Sequence, residues 1–342
     1  MNFLSDNQST VFSEIIQYLQ TINKDSSSSY GNDPITNKAQ KLVSDFFEKQ
    51  VEIRYVSSGT ASNSISLSTI CPPYGGIICS SDSHLDGDEC GAPEFFTGGA
   101  KLIKIHTSNG IISPQKLKNK INSFGLHGIH EVKLSVLDIT QISELGTIYT
   151  IDKLKELTDI AHKNNLLIHM DGARFANACA SLNCKPSEIS WKSGIDIMSL
   201  GATKNGAMAC ELIVIFNKDI TDDIDRRQKR AGHLWSKNRY MSAQIIKWIE
   251  DDRWFKAAKK ANNFAKQIHD ILSSNKNIKI PFAVEGNMVF AEISANLQKY
   301  LLENKVKFNK WPKGKNLTRF VASWDTKESE INNFKKVIKS YK

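Results

Sequence analysis

A lysine stands directly after an apolar run in the middle of the chain, among small residues. The run IDIMSL (195–200) is followed by Gly201, Ala202 and Thr203, and then by Lys204. Small neighbours let a planar ring approach the backbone. Partial burial lowers the pKa of a lysine, so more neutral amine is available to attack a carbonyl. The motif therefore predicts a nucleophilic lysine; the alternative is a surface lysine in a strand-to-loop turn.

A carboxylate follows a second apolar run. LLIHM (166–170) leads into Asp171, and Gly172, Ala173 and Arg174 come next. A carboxylate and a lysine at two strand ends suit pyridoxal phosphate (PLP), because its pyridine nitrogen needs a nearby carboxylate to stay protonated. Taken alone, Asp171 could be a helix N-cap and Arg174 a partner in a surface ion pair.

The segment SSGTASN (57–63) lies between a strand-like run and an apolar helical segment. Ser58 and Thr60 offer hydroxyl groups, Gly59 permits close backbone approach, and the helix N-terminus offers free N–H groups. The segment therefore predicts a phosphate site, although an N-capping turn would look the same.

Strand-like and helix-like segments alternate through this part of the chain. The helical ones include 58–70 and 150–165, with Thr150 as the N-cap of the second. Apolar runs of strand length lie at 51–56, 75–80, 100–105, 132–139, 166–170, 195–200 and 211–216. Strands that alternate with helices predict an α/β fold with a mostly parallel sheet.

The chain changes character near Asp219 and is charged and helical as far as about Ser273. Three strand-like runs and a final helix follow: KIPFAVEG (279–286), NMVFAEI (287–293), LTRFVASW (317–324) and ESEINNFKKVIKSYK (328–342). We therefore predict a smaller α+β domain at the C-terminus. The predicted division is an N-terminal arm over 1–30, a large domain over 31–240 and a small domain over 241–342.

Composition limits the classes of protein that the chain can be. It has 342 residues, a net charge of +9 and six cysteines, and its length suggests about two domains. The sequence has no secretory signal, no apolar stretch of membrane-spanning length and no C-x-x-C pair, so we expect a cytoplasmic protein with reduced cysteines. It also has no G-x-G-x-x-G motif, which disfavours a Rossmann dehydrogenase.

The basic residues are mixed with acidic ones, as in DDIDRRQKR (222–230). This pattern predicts a solvated helical face rather than a nucleic-acid site, so a basic nucleic-acid-binding protein is only a remote alternative. The acidic residues around His84 lack EF-hand spacing, and we predict no metal ligands there.

The motifs HMDGARF, GATKNG, SGT and SHLDGDECGAPEFF together resemble the low-specificity L-threonine aldolases. These are fold-type I PLP enzymes of the threonine aldolase and β-eliminating lyase group. SDN near the start and CGAPEFF make the resemblance closest to the proteobacterial branch, and it extends from about Ser5 to the closing helix. It implies a fold-type I, transferase-like architecture with a seven-stranded, mostly parallel sheet.

The resemblance also implies roles for single residues. Lys204 would carry PLP as a Schiff base, Asp171 would pair with the pyridine nitrogen, and His84 would stack on the ring and reach the substrate hydroxyl. The remaining roles are phosphate binding by Ser58, Gly59 and Thr60, and binding of the substrate carboxylate by Ser5, Arg174 and Arg319.

The chain departs from related branches at two positions. Where they carry a second active-site histidine, this sequence reads Thr140-Gln141. Gln141 cannot be a general base, so that role falls to His84 or water, and Gln141 is left as a substrate contact. Where they carry an arginine that reaches a neighbouring subunit's phosphate, Lys237 is the nearest equivalent.

The predicted reaction is retro-aldol cleavage of L-threonine or L-allo-threonine to glycine and an aldehyde. The alternatives within the fold are a β-eliminating lyase, an aminotransferase and a phenylserine-type aldolase. The resemblance implies a homodimer or homotetramer whose sites are shared between subunits.

Overall fold

A seven-stranded sheet forms the centre of the molecule. The computed structural model describes residues 1–220, 223–312 and 316–341. The strands are β1 (Glu52–Val56), β2 (Gly75–Ser80), β3 (Lys101–Ile105), β4 (Lys133–Thr140), β5 (Leu167–Gly172), β6 (Ile197–Gly201) and β7 (Glu211–Ile215). Their order is β1-β7-β6-β5-β4-β2-β3, and only β7 runs antiparallel to its neighbours. The predicted α/β fold and its mostly parallel sheet are confirmed.

Helices surround this sheet. They are α1 (Ser13–Ile22), α2 (Pro34–Phe46), α3 (Gly59–Ile70), α4 (His84–Gly87), α5 (Ala92–Thr97), α6 (Pro114–Asn122), α7 (Ile151–Lys163), α8 (Phe175–Leu182), α9 (Ile224–Arg230) and α10 (Arg239–Ile249). Thr150 is the N-cap of α7, as predicted, and its hydroxyl accepts a hydrogen bond from the Lys153 N–H at 3.3 Å. Strands β2, β6 and β7 are buried along their whole length, which explains their continuous apolar sequences.

A second, antiparallel sheet lies in the C-terminal part. It contains β8 (Met288–Glu292), β9 (Asn309–Lys310) and β10 (Leu317–Val321) in the order β8-β10-β9. Three helices accompany it: α11 (Arg253–Ser273), α12 (Ala295–Glu303) and α13 (Glu328–Ser340). The predicted strand at 279–286 is wrong, because that segment forms only an isolated bridge from Lys279 to Glu292. Pro281 within it has no N–H for a ladder.

Helix α11 contributes side chains to two of the three hydrophobic clusters of the described residues. Trp254 and Ala258 in its first half belong to the large-sheet cluster, whereas Phe264 and Ile268 in its second half belong to the cluster around the small sheet. Helix α10 packs against α1 and α2. The domain boundaries at residues 30 and 240 stay predictions. Three residues of the predicted helical segments, Thr221, Asp222 and Lys342, lie outside the described residues.

The N-terminal arm crosses the small sheet and then reaches the loop that carries Lys204. Phe3 is fully buried against the rings of Phe320 and Phe334. Its backbone N–H donates to the Lys307 carbonyl, and its carbonyl accepts from the Val321 N–H, both at 2.9 Å. The first residues of the arm therefore pack with the C-terminal part of the structure.

Among the described residues, no helix is both long and apolar enough to cross a membrane. The cysteines are free, as expected, and Cys71, Cys79, Cys179 and Cys210 are buried.

Candidate active site

Most of the predicted site residues lie at the carboxyl ends of the parallel strands. Asp171 stands near the end of β5, and Lys204 follows β6. His84 begins α4, shortly after β2, and Ser58 caps α3 after β1. Parallel strands present their carboxyl ends on one edge of a sheet, where ligands of α/β proteins bind. Residues from distant parts of the sequence therefore meet at this edge.

The loop that carries Lys204 is held on several sides. The Asn205 side chain donates to the Trp254 carbonyl at 2.8 Å, and the Trp248 indole donates to the Asn205 carbonyl at 3.1 Å. Gly206 has a φ of +98°, and a Cβ there would collide with the Phe12 ring. The Phe12 N–H also donates to the Gly206 carbonyl at 2.9 Å. The lysine is thus presented from a rigid turn.

Lys204 is half-buried, and the pKa of its amine is depressed. Burial is the main cause, and the nearby positive charge of Arg174 adds to it. Glu211 at the start of β7 lies close to the lysine and accepts a hydrogen bond from the Thr203 N–H at 3.3 Å. Burial raises the pKa of Glu211 to about 7. Glu211 was not predicted as a site residue, because in the sequence it resembles an ordinary acid at the start of a strand.

Asp171 is buried yet held in its ionised form. Its two carboxylate oxygens accept hydrogen bonds from the Ala173 N–H at 2.9 Å and the Asn63 amide at 3.0 Å. Burial alone would raise its pKa, but the charges of His84 and Lys204 and these hydrogen bonds keep it below the usual range. The arrangement suits a carboxylate that faces a cation.

A chain of hydrogen bonds links Asp171 to His84. The Asn63 amide donates to Asp171 and also to Glu89 Oε1, at 2.8 Å. The same Glu89 oxygen lies 2.9 Å from His84 Nδ1. The hydrogen bond with Glu89 raises the pKa of His84, and burial raises that of Glu89. Glu89 and Asn63 were missed as site residues, although both lie inside motifs that the sequence analysis singled out.

We call Lys204, Asp171, Asn63, Glu89 and His84 the strand-end cluster. A further acid, Glu144, contacts the backbone of His84. Its Oε1 accepts a hydrogen bond from the His84 N–H at 2.6 Å and another from the Thr140 hydroxyl at 3.2 Å. Burial raises the pKa of Glu144 to about 8.

Gln141 is placed differently from its prediction as a substrate contact. It is fully buried, and its amide donates to the Tyr149 carbonyl at 2.9 Å and accepts from the Tyr149 N–H at 3.0 Å. Both ends of the amide are therefore occupied by one residue of the following loop. In this geometry Gln141 shapes the loop after β4 rather than facing the cleft.

The predicted phosphate residues form the beginning of α3. The Ser58 hydroxyl accepts from the Ala61 N–H at 3.2 Å, which is the N-cap that the sequence left open as an alternative. Apart from its own helix turn, no described part of the chain comes within 4 Å of a Cβ placed on Gly59, so there is open space in front of this helix end. Lys237 is exposed in the loop between α9 and α10, and its predicted reach to a neighbouring subunit stays a prediction.

Arg174 and Arg319, which we call the guanidinium pair, come from different sheets. Arg174 follows β5, and Arg319 lies on β10 with its guanidinium 4.9 Å from the centre of the Trp311 ring. Burial, followed by the charge of Arg174, lowers the pKa of Arg319 to about 10, which leaves it charged at neutral pH. Its Nε is buried and has no hydrogen-bond partner among the residues that the structure describes.

The N-terminal arm binds the guanidinium pair through Asp6. Ser5 caps a short 3-10 turn (Asp6–Gln8), and its hydroxyl accepts from the Asn7 N–H at 3.1 Å. Asp6 binds Arg174 through two hydrogen bonds, of 2.8 and 2.9 Å. Sequence analysis named Ser5 but missed Asp6, whose partner lies 168 positions away.

The match to a known family shows which family the chain belongs to. The family described as Beta-eliminating lyase matches residues 2–296, which include every element of the large sheet. The chain belongs to the beta-eliminating lyase family. This family member contains the strand-end cluster and Arg174 within the matched residues, whereas Arg319 lies beyond them.

Two bacterial relatives in this family are similar over nearly their full length. The "Low specificity L-threonine aldolase" of Pseudomonas aeruginosa is 36% identical over 325 residues, which are 95% of this chain and 93% of that protein. The "Low specificity L-threonine aldolase" of a Pseudomonas species is 36% identical over 330 residues, covering 96% and 94%.

Solved structures agree on the fold. The threonine aldolase of Leishmania major superposes with a TM-score of 0.91 at 23% identity, covering 99% of this chain and 98% of that one. Cystalysin of Treponema denticola, solved with pyridoxal 5'-phosphate, superposes with a TM-score of 0.70 at 15% identity, covering 97% and 89%. The predicted fold-type I architecture of this beta-eliminating lyase family member is confirmed.

Proposed function

We propose that the chain is a PLP-dependent aldolase that cleaves L-threonine and L-allo-threonine to glycine and acetaldehyde. The names of the two Pseudomonas relatives support the reaction. The observation that carries the proposal is the strand-end cluster, in which a low-pKa lysine and an ionised carboxylate meet at the carboxyl ends of parallel strands. The guanidinium pair beside it suits the carboxylate of an amino acid.

The residues of the site fit PLP. Lys204 Nζ makes no hydrogen bond within the part of the chain that the structure describes, so it is free to bind the cofactor aldehyde as a Schiff base. Asp171 stays ionised and would face the pyridine nitrogen. When bound, PLP supplies a positively charged ring that accepts the electron pair left on the substrate Cα.

The beginning of α3 fits the phosphate group of PLP. The first turn of a helix has N–H groups without partners inside the helix, and it favours an anion. The open space at Gly59 lies in front of this turn, with Ser58 and Thr60 on either side. A side chain at position 59 would enter that space.

The guanidinium pair and Ser5 would bind the substrate carboxylate and thereby orient the substrate. When the carboxylate is held by the guanidinium pair and the amino group lies beside Lys204, two of the substituents on the substrate Cα are fixed. The orientation of the Cα–Cβ bond is then fixed as well. The buried Nε of Arg319 has no partner within the described part of the chain, and a carboxylate oxygen would satisfy it.

His84 and Glu89 would take the proton of the substrate β-hydroxyl. With Nδ1 bonded to Glu89, the imidazole has Nε2 free to accept that proton, and the carboxylate of Glu89 stabilises the resulting imidazolium. The position directly after β4 is occupied by Gln141 rather than by a second histidine, and the amide of Gln141 is engaged with Tyr149. The base is therefore expected to be His84 itself.

The test is product analysis with the PLP-loaded protein. With L-threonine we expect visible cofactor absorbance and equimolar glycine and acetaldehyde, without an added oxo acid. An aminotransferase would require the oxo acid, and a β-eliminating enzyme would release ammonia instead. Parallel reactions with allo-threonine and phenylserine define the substrate range.

Two lysine variants separate a catalytic role from a general effect of charge. Lys204→Ala should lose the visible absorbance of the bound cofactor and essentially all glycine formation. Lys155→Ala, an exposed position on α7, should retain both. Full glycine formation by Lys204→Ala would refute the proposal.

We also propose that the chain forms a homodimer or homotetramer in which Lys237 contributes to a neighbouring subunit's phosphate site. The loop that carries Lys237 also exposes Trp235, and exposed aromatic side chains are enriched at interfaces. Sedimentation of Trp235→Glu would test it: a shift toward the monomer supports the interface, and an unchanged oligomer refutes it.

A further inference from the structure

The guanidinium of Arg174 is already bound along one edge. Its Nε donates to Asp6 Oδ2 at 2.8 Å, and one Nη donates to Asp6 Oδ1 at 2.9 Å. A guanidinium has five N–H groups in a fixed plane, so this two-pronged contact leaves the opposite edge for another acceptor. Asp6 thereby determines which edge of Arg174 faces the cleft and at what angle.

Asp6 is itself fixed from the small-sheet side. It is buried, and its Oδ2 also accepts from the Asn287 amide at 2.9 Å. The same amide donates to the Ala322 carbonyl, directly after β10, at 2.8 Å. Asp6 therefore connects Arg174, which follows β5 of the large sheet, to the segment that follows Arg319 on β10 of the small sheet.

The charge of Asp6 matters as well as its geometry. Arg174 and Arg319 lie close enough for the charge of one to depress the pKa of the other. Asp6 carries the compensating negative charge. Burial alone would raise the pKa of Asp6, but the positive charges of Arg174 and Lys204 outweigh that effect and keep the pKa below its usual value. With Asp6 ionised, the pair has a net charge of one, which matches a single substrate carboxylate.

We propose that Asp6 is a positioning residue for the substrate carboxylate: it fixes Arg174 so that its free edge and Arg319 bind one carboxylate together. The inference rests on the proposed function and adds to it a residue that does not itself contact the substrate. It also gives the N-terminal arm a role beyond Ser5.

The test measures the binding of glycine and of methylamine to the PLP-loaded protein. Binding is detected as a change in the visible absorbance of the cofactor. Methylamine offers the amino group without a carboxylate. In Asp6→Asn we expect the Kd for glycine to rise by about tenfold or more, the scale of a lost charged hydrogen bond, with the Kd for methylamine within about twofold. The KM for L-threonine should rise more than kcat falls.

A second carboxylate of the arm region provides the matched control. Asp325 accepts hydrogen bonds from the Thr10 N–H at 2.9 Å and the Thr10 hydroxyl at 3.1 Å, so it anchors the arm without binding Arg174. Asp325→Asn should change the Kd for glycine by no more than about twofold. An equal loss in both variants would mean that arm order alone matters and would overturn the proposal.

A third variant covers a folding failure of Asp6→Asn. Asn287→Ala removes one anchor of Asp6 and leaves its contact with Arg174. We expect the Kd for glycine to rise severalfold with methylamine binding unchanged; an unchanged Kd for glycine would overturn the proposal.

The remaining outcomes are distinct. Tighter glycine binding by Asp6→Asn would show that Asp6 competes with the substrate, which also overturns the proposal. If the unaltered protein binds glycine but does not cleave threonine, the aldolase function fails while the role of Asp6 can still be read from the Kd values.

Discussion

The strand-end cluster and the guanidinium pair differ in how the fold constructs them. Lys204, Asp171 and His84 each stand at or just after the end of a strand in one sheet. The guanidinium pair takes one residue from each sheet and is joined by a carboxylate of the N-terminal arm. The first site is built on strands of one hydrogen-bonded sheet, whereas the second depends on three separate segments staying together.

This difference separates two kinds of measurement. Changes in the strand-end cluster should alter cofactor affinity, cofactor absorbance and kcat. Changes around the guanidinium pair should alter the binding of ligands that carry a carboxylate and leave methylamine binding intact. The comparison would be contradicted by a change around the guanidinium pair that alters methylamine binding.

After the loss expected for Lys204→Ala, the largest effect is expected for Asp171→Asn. The neutral amide cannot stabilise a positive charge on the pyridine nitrogen, so kcat should fall by roughly 100-fold or more. Steady-state kinetics at saturating PLP and threonine measure this effect. Asp159→Asn, an exposed position on α7, is the control and should be indistinguishable from the unaltered protein.

A smaller and different effect is expected for Arg319→Lys. Lysine retains the charge but loses the planar fork and the stacking on Trp311, so the KM for L-threonine should rise by about tenfold, more than kcat falls. Methylamine binding should be unchanged. A variant with a lower kcat and an unaltered KM would place Arg319 outside the carboxylate site.

The pH profile of Glu89→Gln examines the strand-end cluster more finely. Glu89 raises the pKa of His84, so in the unaltered protein the base gains activity only as the pH rises through a value above 6.5. Removal of the negative charge should lower that pKa, and the acid limb of kcat should move to lower pH. Maximal kcat should fall by about tenfold, since the imidazolium loses its partner. An acid limb that stays in place would remove His84 from the proton transfer.

The same contrast explains what the sequence could predict. Strand ends that carry Lys204 and Asp171 are visible as apolar runs followed by small residues, and the large sheet follows from their alternation with helices. Asp6 gives no local signal, because the Arg174 that it binds lies 168 positions away. The segment 279–286 was predicted as a strand from its apolar residues, but Pro281 within it has no N–H for a ladder. Gln141 was assigned to the substrate through the resemblance alone, and its hydrogen bonds with Tyr149 depend on the course of the loop after β4.

The smallest effect is expected for Gly59→Ala. A Cβ at this position meets none of the other described segments within 4 Å, and alanine favours a helix more than glycine. The Tm without PLP should therefore stay the same or rise slightly. The added methyl group would enter the proposed phosphate space, so the Kd for PLP should rise by a few fold. Gly206→Ala is the contrasting variant: its φ of +98° and the Phe12 ring against it should lower the Tm without PLP. Unchanged PLP affinity in Gly59→Ala would mean that the phosphate binds elsewhere than the beginning of α3.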